Sequence, residues 1–146
     1  KYSEILSNLA PMNGKTIWDP LRRKEVALTP EERVRQWFIN ILKTYMQVPL
    51  HMMRSEVSFN LGGKVFRADI LVYDRKASPV AIIECKRPEV EIDNSVLDQT
   101  IRYNMVLNVR YIIITNGSRT FISRKKEDGS GYAFIEGIPS YEDMLK

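Results

Sequence analysis

Cysteine occurs once in these 146 residues, and so does histidine. A single cysteine excludes an internal disulfide and fits a reducing compartment, and Cys85 reads as a small buried apolar residue. The lone His51, beside Met52 and Met53, reads as a surface or packing residue and is given no role. There is no apolar run of 18 or more residues and no signal-peptide pattern, so no membrane span is expected and the expected location is cytoplasmic. Internal repeats and low-complexity tracts are also missing. The chain carries no G-x-x-x-x-G-K-[ST] phosphate loop, so any ATP-driven work has to come from another segment or subunit. A large excess of one sign of charge is missing as well. A net +4, with a sequence pI near 9.2, is compatible with a polyanionic partner without demanding one.

What is present suits one globular domain with a sizeable core: 44% apolar and 27% charged residues. The chain begins at Lys1 rather than methionine, as a fragment or a trimmed product would. Residues 1–28 are mixed in character. A short helix is expected over residues 3–10, broken by Pro11, Asn13 and Gly14. Residues 15–28 read as extended, with Arg22-Arg23-Lys24 as a solvated basic turn. The expected division is an N-terminal extension over residues 1–28, packing on a single domain over residues 29–146.

That domain opens with a helix. Thr29 is an N-cap, Pro30 fits the first helical position, and Glu32 completes a capping box. Val34, Phe38, Ile41, Leu42 and Tyr45 follow at helical spacing as a core-facing stripe. At 100° per residue Glu31 falls near that stripe and Glu32 nearly opposite it. Both acids also suit the positive end of the helix dipole. Arg35, one turn on, is spaced to pair with Glu31.

The centre of the chain is FRADILVYDRKASPVAIIECKRP, residues 66–88. It reads as two apolar strands joined by a turn over residues 75–78, preceded by an alternating strand from Glu56 to Leu61 and a Gly62-Gly63 hairpin. With Asp74 opposite Pro79, paired numbers sum to 153, so Asp69 falls opposite Glu84 with β-carbons roughly 4.5–5.5 Å apart. Glu84 and Lys86 share one face of their strand while Cys85 points the other way. Charges inside apolar strands are costly unless paired or bound to metal. Opposed carboxylates repel, and a hard divalent cation relieves that repulsion. Residues 80–85 are apolar on both faces apart from Glu84, the mark of a central strand.

Beyond Pro88, Glu89, Glu91 and Asp93 read as a solvated acidic loop. Asn94 or Ser95 is expected to cap a second helix reaching about Asn108, with Val96, Leu97, Ile101 and Leu107 toward the core. Gln99 and Tyr103, four apart, share one helical face. Residues 111–115 read as a buried strand parallel to the Glu84 strand, because a helix joins the two. A turn at Asn116-Gly117, a strand over 119–124, an edge strand over 131–135 and a short helix capped by Ser140 complete the order. Together these elements imply an α/β sandwich: a central mixed β-sheet flanked by helices on both faces.

Asp69, followed after a hairpin by Glu84-x-Lys86, resembles the PD-(D/E)xK nuclease superfamily. Gln99 and Tyr103 match the Q-x-x-x-Y motif found on the following helix in one branch of it, and IWDPLRRKEVALTPEERVRQ adds a third match. Roughly from Trp18 to Thr115, the chain resembles the N-terminal nuclease region of type I restriction enzyme R subunits. Ala68 stands where the superfamily name has proline. The resemblance implies a restriction-endonuclease-like sandwich and a metal-dependent endodeoxyribonuclease using Mg²⁺ or Mn²⁺. It implies DNA as partner, together with motor and specificity subunits of a restriction complex. Asp69, Glu84 and the Cys85 backbone carbonyl would hold the metal, with Lys86 orienting the attacking water. Gln99 and Tyr103 would steady the metal site or the DNA backbone, and a first-helix glutamate, Glu31 on periodicity, would stand beside the metal. The alternative is a non-catalytic nucleic-acid-binding or structural module that keeps the fold, with Lys86 neutralising Asp69 and Glu84.

Overall fold

The computed structural model describes residues 14–146. The helix expected over residues 3–10 lies outside them. An antiparallel hairpin comes first, β1 (Thr16–Asp19) and β2 (Lys24–Ala27), a two-stranded sheet of its own. Its turn was expected to be solvated, and for Arg22 the structure corrects this. The Arg22 guanidinium pairs with the fully buried Asp19 and reaches Glu32 at 2.6 Å and Glu56 at 2.9 Å. Arg23 and Lys24 remain exposed.

Helix α1 (Pro30–Thr44) starts where its cap dictates. The Thr29 side chain accepts the backbone N–H of Glu32, and Pro30 occupies the first turn. The reciprocal half of the expected capping box is not made. The Glu32 carboxylate is taken by Arg22, Arg35 and Gln36, and the Thr29 N–H turns to the Ala27 carbonyl. Glu32 is accordingly buried rather than facing away from the core. Tyr45, expected in the apolar stripe, lies just past the helix and is exposed; the stripe ends at Leu42.

Next come β3 (Met53–Leu61) and β4 (Lys64–Tyr73), then β5 (Pro79–Cys85), α2 (Asn94–Asn104), β6 (Tyr111–Thr115), β7 (Thr120–Lys125), β8 (Tyr132–Ile135) and α3 (Tyr141–Leu145). β3 begins three residues before the expected Glu56. Gly62 and Gly63 both hold positive φ, 57° and 83°, as a two-residue primed hairpin turn requires. The cap of α2 is Asp93, whose side chain accepts the Val96 N–H, rather than Asn94 or Ser95. Asp93 is therefore a helix cap, not merely part of a solvated loop. The helix gives way to a 3-10 turn at Met105–Leu107, short of Asn108, which adopts a left-handed conformation.

Strands β3 to β8 form one six-stranded sheet in sequence order. β5 and β6 are parallel, joined by the α2 crossover, and every other pair is antiparallel. Side chains alternate, so the sheet feeds two cores. Ile70, Val72, Ala81, Ile83 and Ile113 pack under Val34, Trp37, Phe38, Ile41 and Leu42 of α1 and Tyr141 and Met144 of α3. Leu71, Ile82, Ile112 and Ile114 pack with Leu97 of α2 on the other face. The fold is an α/β sandwich with a mixed central sheet, as the element order implies, and it is consistent with a restriction-endonuclease-like architecture.

The central hairpin carries one instructive correction. Asp74 does not pair with Pro79; Tyr73 does, and the register shifts by one residue between Val72 and Tyr73. Asp74 instead closes the turn, its carboxylate accepting the N–H groups of Lys76 and Ser78. Beyond the shift the pairs Val72↔Ala81, Leu71↔Ile82 and Ile70↔Ile83 do sum to 153. The irregularity thus restores the register expected in the ladder, which closes one step before Asp69 and Glu84.

Candidate functional site

Asp69 sits where β4 changes its allegiance. Ile70 and Val72 belong to the core under α1, whereas Ala68 belongs to the opposite one. On β3 the flanking pairs are Ser55↔Ile70 and Val57↔Ala68, so Glu56 lies opposite Asp69 and is skipped by the ladder. Glu56 has φ of 53°, a left-handed conformation uncommon for a non-glycine residue. The break leaves the backbone of Asp69 and Glu56 out of the β3–β4 ladder. Asp69 Oδ2 accepts the Cys85 N–H at 2.7 Å, and Oδ1 stands 3.5 Å from Arg35 Nη2.

Asp69 is partly buried, its side chain 23% exposed, and desolvation pushes its pKa up from 3.8 to about 6. The Cys85 N–H and the Arg35 charge pull the other way; the negative charges of Glu31 and Glu84 add to the rise. Carboxylates from α1 and β5 therefore both act on Asp69 in β4. Glu31, half-exposed, lines a cavity of about 420 Å³ with Asp69, Arg35, Glu56 and Arg67. Glu32, its neighbour, is committed to Arg22, Arg35 and Gln36.

Glu84 and Lys86 line a second cavity, of about 380 Å³, with Gln99 and Tyr103 from α2. Lys86 Nζ is 2.5 Å from Glu84 Oε2. Asn104 Nδ2 donates to Glu84 Oε1 at 3.3 Å and to the Thr100 carbonyl at 2.8 Å. The Tyr103 hydroxyl accepts the Arg67 N–H at 3.2 Å, and its ring packs 5.2 Å from that of Phe66. Gln99 is exposed at the cavity wall. Cys85 is buried, its side chain in the α1 core and its thiol pKa raised well above 9.0 by burial.

The expected residues are thus divided between two walls, Asp69 with Glu31 on one and Glu84 with Lys86, Gln99 and Tyr103 on the other. Among the described residues, no group of three or more His, Cys, Asp or Glu side chains is gathered as a ready metal cluster. Four residues about the site had no signal in the sequence. Arg22, Glu56 and Asn104 contact it through long-range packing that no periodicity reports, and Arg35 does far more than pair with Glu31.

Residues 30–139 match the family described as type I restriction enzyme R protein N terminus. The chain belongs to that family. The matched span begins at α1 and takes in the whole six-stranded sheet, leaving the β1–β2 hairpin and α3 outside it. No curated protein matches the chain. Among solved structures it is similar to the fragment structure of a putative HsdR subunit of a type I restriction enzyme from Vibrio vulnificus YJ016. The identity is 19% and the TM-score 0.46, over 64% of this chain and 20% of that one. This family member therefore spans about a fifth of that subunit fragment's length. No helix among the described residues is long and apolar enough to cross a membrane.

Proposed function

We propose that this R-protein N-terminal domain is a Mg²⁺-dependent DNA endonuclease module of a type I restriction system, built on Asp69, Glu84 and Lys86. One observation carries the reading: Asp69 and Glu84 follow directly on the last β4–β5 pair, Ile70↔Ile83, with the Asp69 carboxylate bonded to the Cys85 N–H and Lys86 2.5 Å from Glu84. That is the PD-(D/E)xK order of residue types, and membership of the R-protein family supplies the restriction context.

The donor set fits a hard cation. Asp69 and Glu84 offer carboxylate oxygens and the Cys85 carbonyl a neutral one, the ligand types Mg²⁺ and Mn²⁺ take. Bound there, the cation would supply positive charge at the scissile phosphate and a more acidic bound water. The chain's own groups do the rest. Lys86 orients the water and stabilises charge that develops on the phosphoryl oxygens. Glu31 adds a carboxylate at the rim, while Gln99 and Tyr103 hold the wall along which a DNA backbone would run. Motor and specificity functions belong to other segments or subunits.

A second reading has its own observation. Glu84 is already met by Lys86 and Asn104, and Asp69 by Cys85 and Arg35, so the cluster is self-compensated. On that reading the domain binds or scaffolds without cutting. The deciding experiment adds Mn²⁺ or Mg²⁺ to the full chain, alone and with duplex DNA, and compares Glu84→Ala. Metal that raises Tm in the wild type only, together with nicking of DNA, supports the nuclease. DNA affinity without metal binding or nicking supports the scaffold.

A further inference from the structure

Arg35 rises from α1 one turn beyond Glu31, with its side chain only 4% exposed. Its guanidinium is shared unequally. Nη1 stands 2.9 Å from Glu32 Oε1 and 2.9 Å from Glu56 Oε1. Nη2 stands 3.4 Å from Glu31 Oε1 and 3.5 Å from Asp69 Oδ1. The first pair are hydrogen bonds of ordinary length; the second pair are at the outer limit. The same oxygens of Glu32 and Glu56 also take Arg22 from the hairpin. One edge of a buried, permanently charged group is therefore anchored, and the other rests loosely against two carboxylates of the candidate site.

We infer that Arg35, through its fixed charge held beside Glu31 and Asp69, sets how tightly the site holds a divalent cation. The inference rests on the metal reading above. A guanidinium does not deprotonate, so its repulsion of an incoming cation has no pH escape. Burial leaves that repulsion weakly screened by salt. The anchor matters as much as the charge. Glu32 and Glu56 neutralise Arg35 on the edge away from Asp69, so weakening the anchor turns more of its charge toward the site.

The test is Mn²⁺ binding to the full chain by calorimetry and by thermal shift. Arg35→Met is expected to bind Mn²⁺ about tenfold more tightly while melting lower without metal. Arg35→Lys, which keeps the charge, is expected to stay near the wild type in affinity. Glu56→Gln keeps the shape of a half-exposed side chain and removes its charge; it is expected to weaken Mn²⁺ binding, and that effect should vanish in the Arg35→Met background. Should Arg35→Met fail to fold, the Glu56→Gln and Arg35→Lys pair decides, because removing one anchoring charge must weaken binding while the conserved charge must not alter it. Unchanged affinity in all variants, with the wild type binding Mn²⁺, would overturn the role of Arg35 and leave the metal site standing. No Mn²⁺ binding by the wild type or any variant would reject the metal site and this inference with it.

Discussion

The Asp69 carboxylate accepts the backbone N–H of Cys85 at 2.7 Å, so the residue after Glu84 is tied by a side chain where the β4–β5 ladder has ended. This bond holds the two candidate ligands in register past the last backbone pair. The bond favours the charged carboxylate, but burial and the charges of Glu31 and Glu84 outweigh it, and that has a measurable cost.

Asp69 should make the metal-free protein more stable as the pH falls from neutral. Its folded pKa of about 6 lies above the ordinary 3.8 because burial and neighbouring carboxylates disfavour the charged form. Between those values the native state binds more protons than the unfolded chain, so stability is gained on acidification and lost as pH rises through 6. Near neutrality the cost is about 3 kcal/mol at 1.36 kcal/mol per pKa unit. Urea melts at pH 7.5 and 4.5 should show the wild type gaining about 2 kcal/mol relative to Asp69→Asn. Parallel curves for the two proteins would mean that Asp69 titrates normally.

Arg22→Ala should destabilise the domain by on the order of 3 kcal/mol, because it strips the buried Asp19 carboxylate of its cationic partner. The Asp19 pKa is lowered even though burial works to raise it, chiefly through the Arg22 hydrogen bond and the Leu21 N–H. Its stabilisation is therefore present above the ordinary carboxylate range and lost on acidification below it. Arg22→Lys should recover part of the loss, since one ammonium cannot reach Asp19, Glu32 and Glu56 together. A urea midpoint for Arg22→Ala within error of the wild type would show that the hairpin contributes no clamp.

The parts of this molecule that were legible in the sequence are those ruled by local or periodic physics. Thr29-Pro30 opens α1, Gly62-Gly63 turns the hairpin, and the apolar run of β5 is the central strand it looks like. The register of the β4–β5 ladder as far as Ile70↔Ile83 was reachable by counting, although the turn used for the count was misplaced and an irregularity at Val72 made up the difference. What stayed hidden depends on chain segments far apart. Glu32 projects away from the stripe of α1 on a helical wheel, yet Arg22, ten residues earlier, closes over it. Glu56 enters the site through a left-handed backbone turn in mid-strand, for which its residue type gives no warning. Asp93 looks like one more acid in a charged loop until its side chain is seen capping α2.

Lys86 separates catalyst from scaffold. Its ammonium lies 2.5 Å from Glu84, and the two side chains are 29% and 22% exposed. A pair so close to solvent contributes at most about 1 kcal/mol to stability. A group that stabilises developing charge is worth far more to the rate, on the order of 10²–10³. Lys86→Ala should therefore lose DNA cleavage by that factor while its metal-free Tm moves little. Mn²⁺ should bind it at least as tightly as the wild type, because a positive charge beside Glu84 has gone. Under the nuclease reading, DNA affinity should rest mainly on phosphate contacts, fall only slightly in this variant and keep its salt dependence. If Lys86 is instead only a counter-ion for Glu84, any nicking activity survives its loss, while the metal-free Tm still moves little. Cleavage, Mn²⁺ affinity and Tm measured side by side on Lys86→Ala and Lys86→Arg decide the matter. The arginine variant keeps the charge but not the compact ammonium, so it should retain the stability and regain little of the rate.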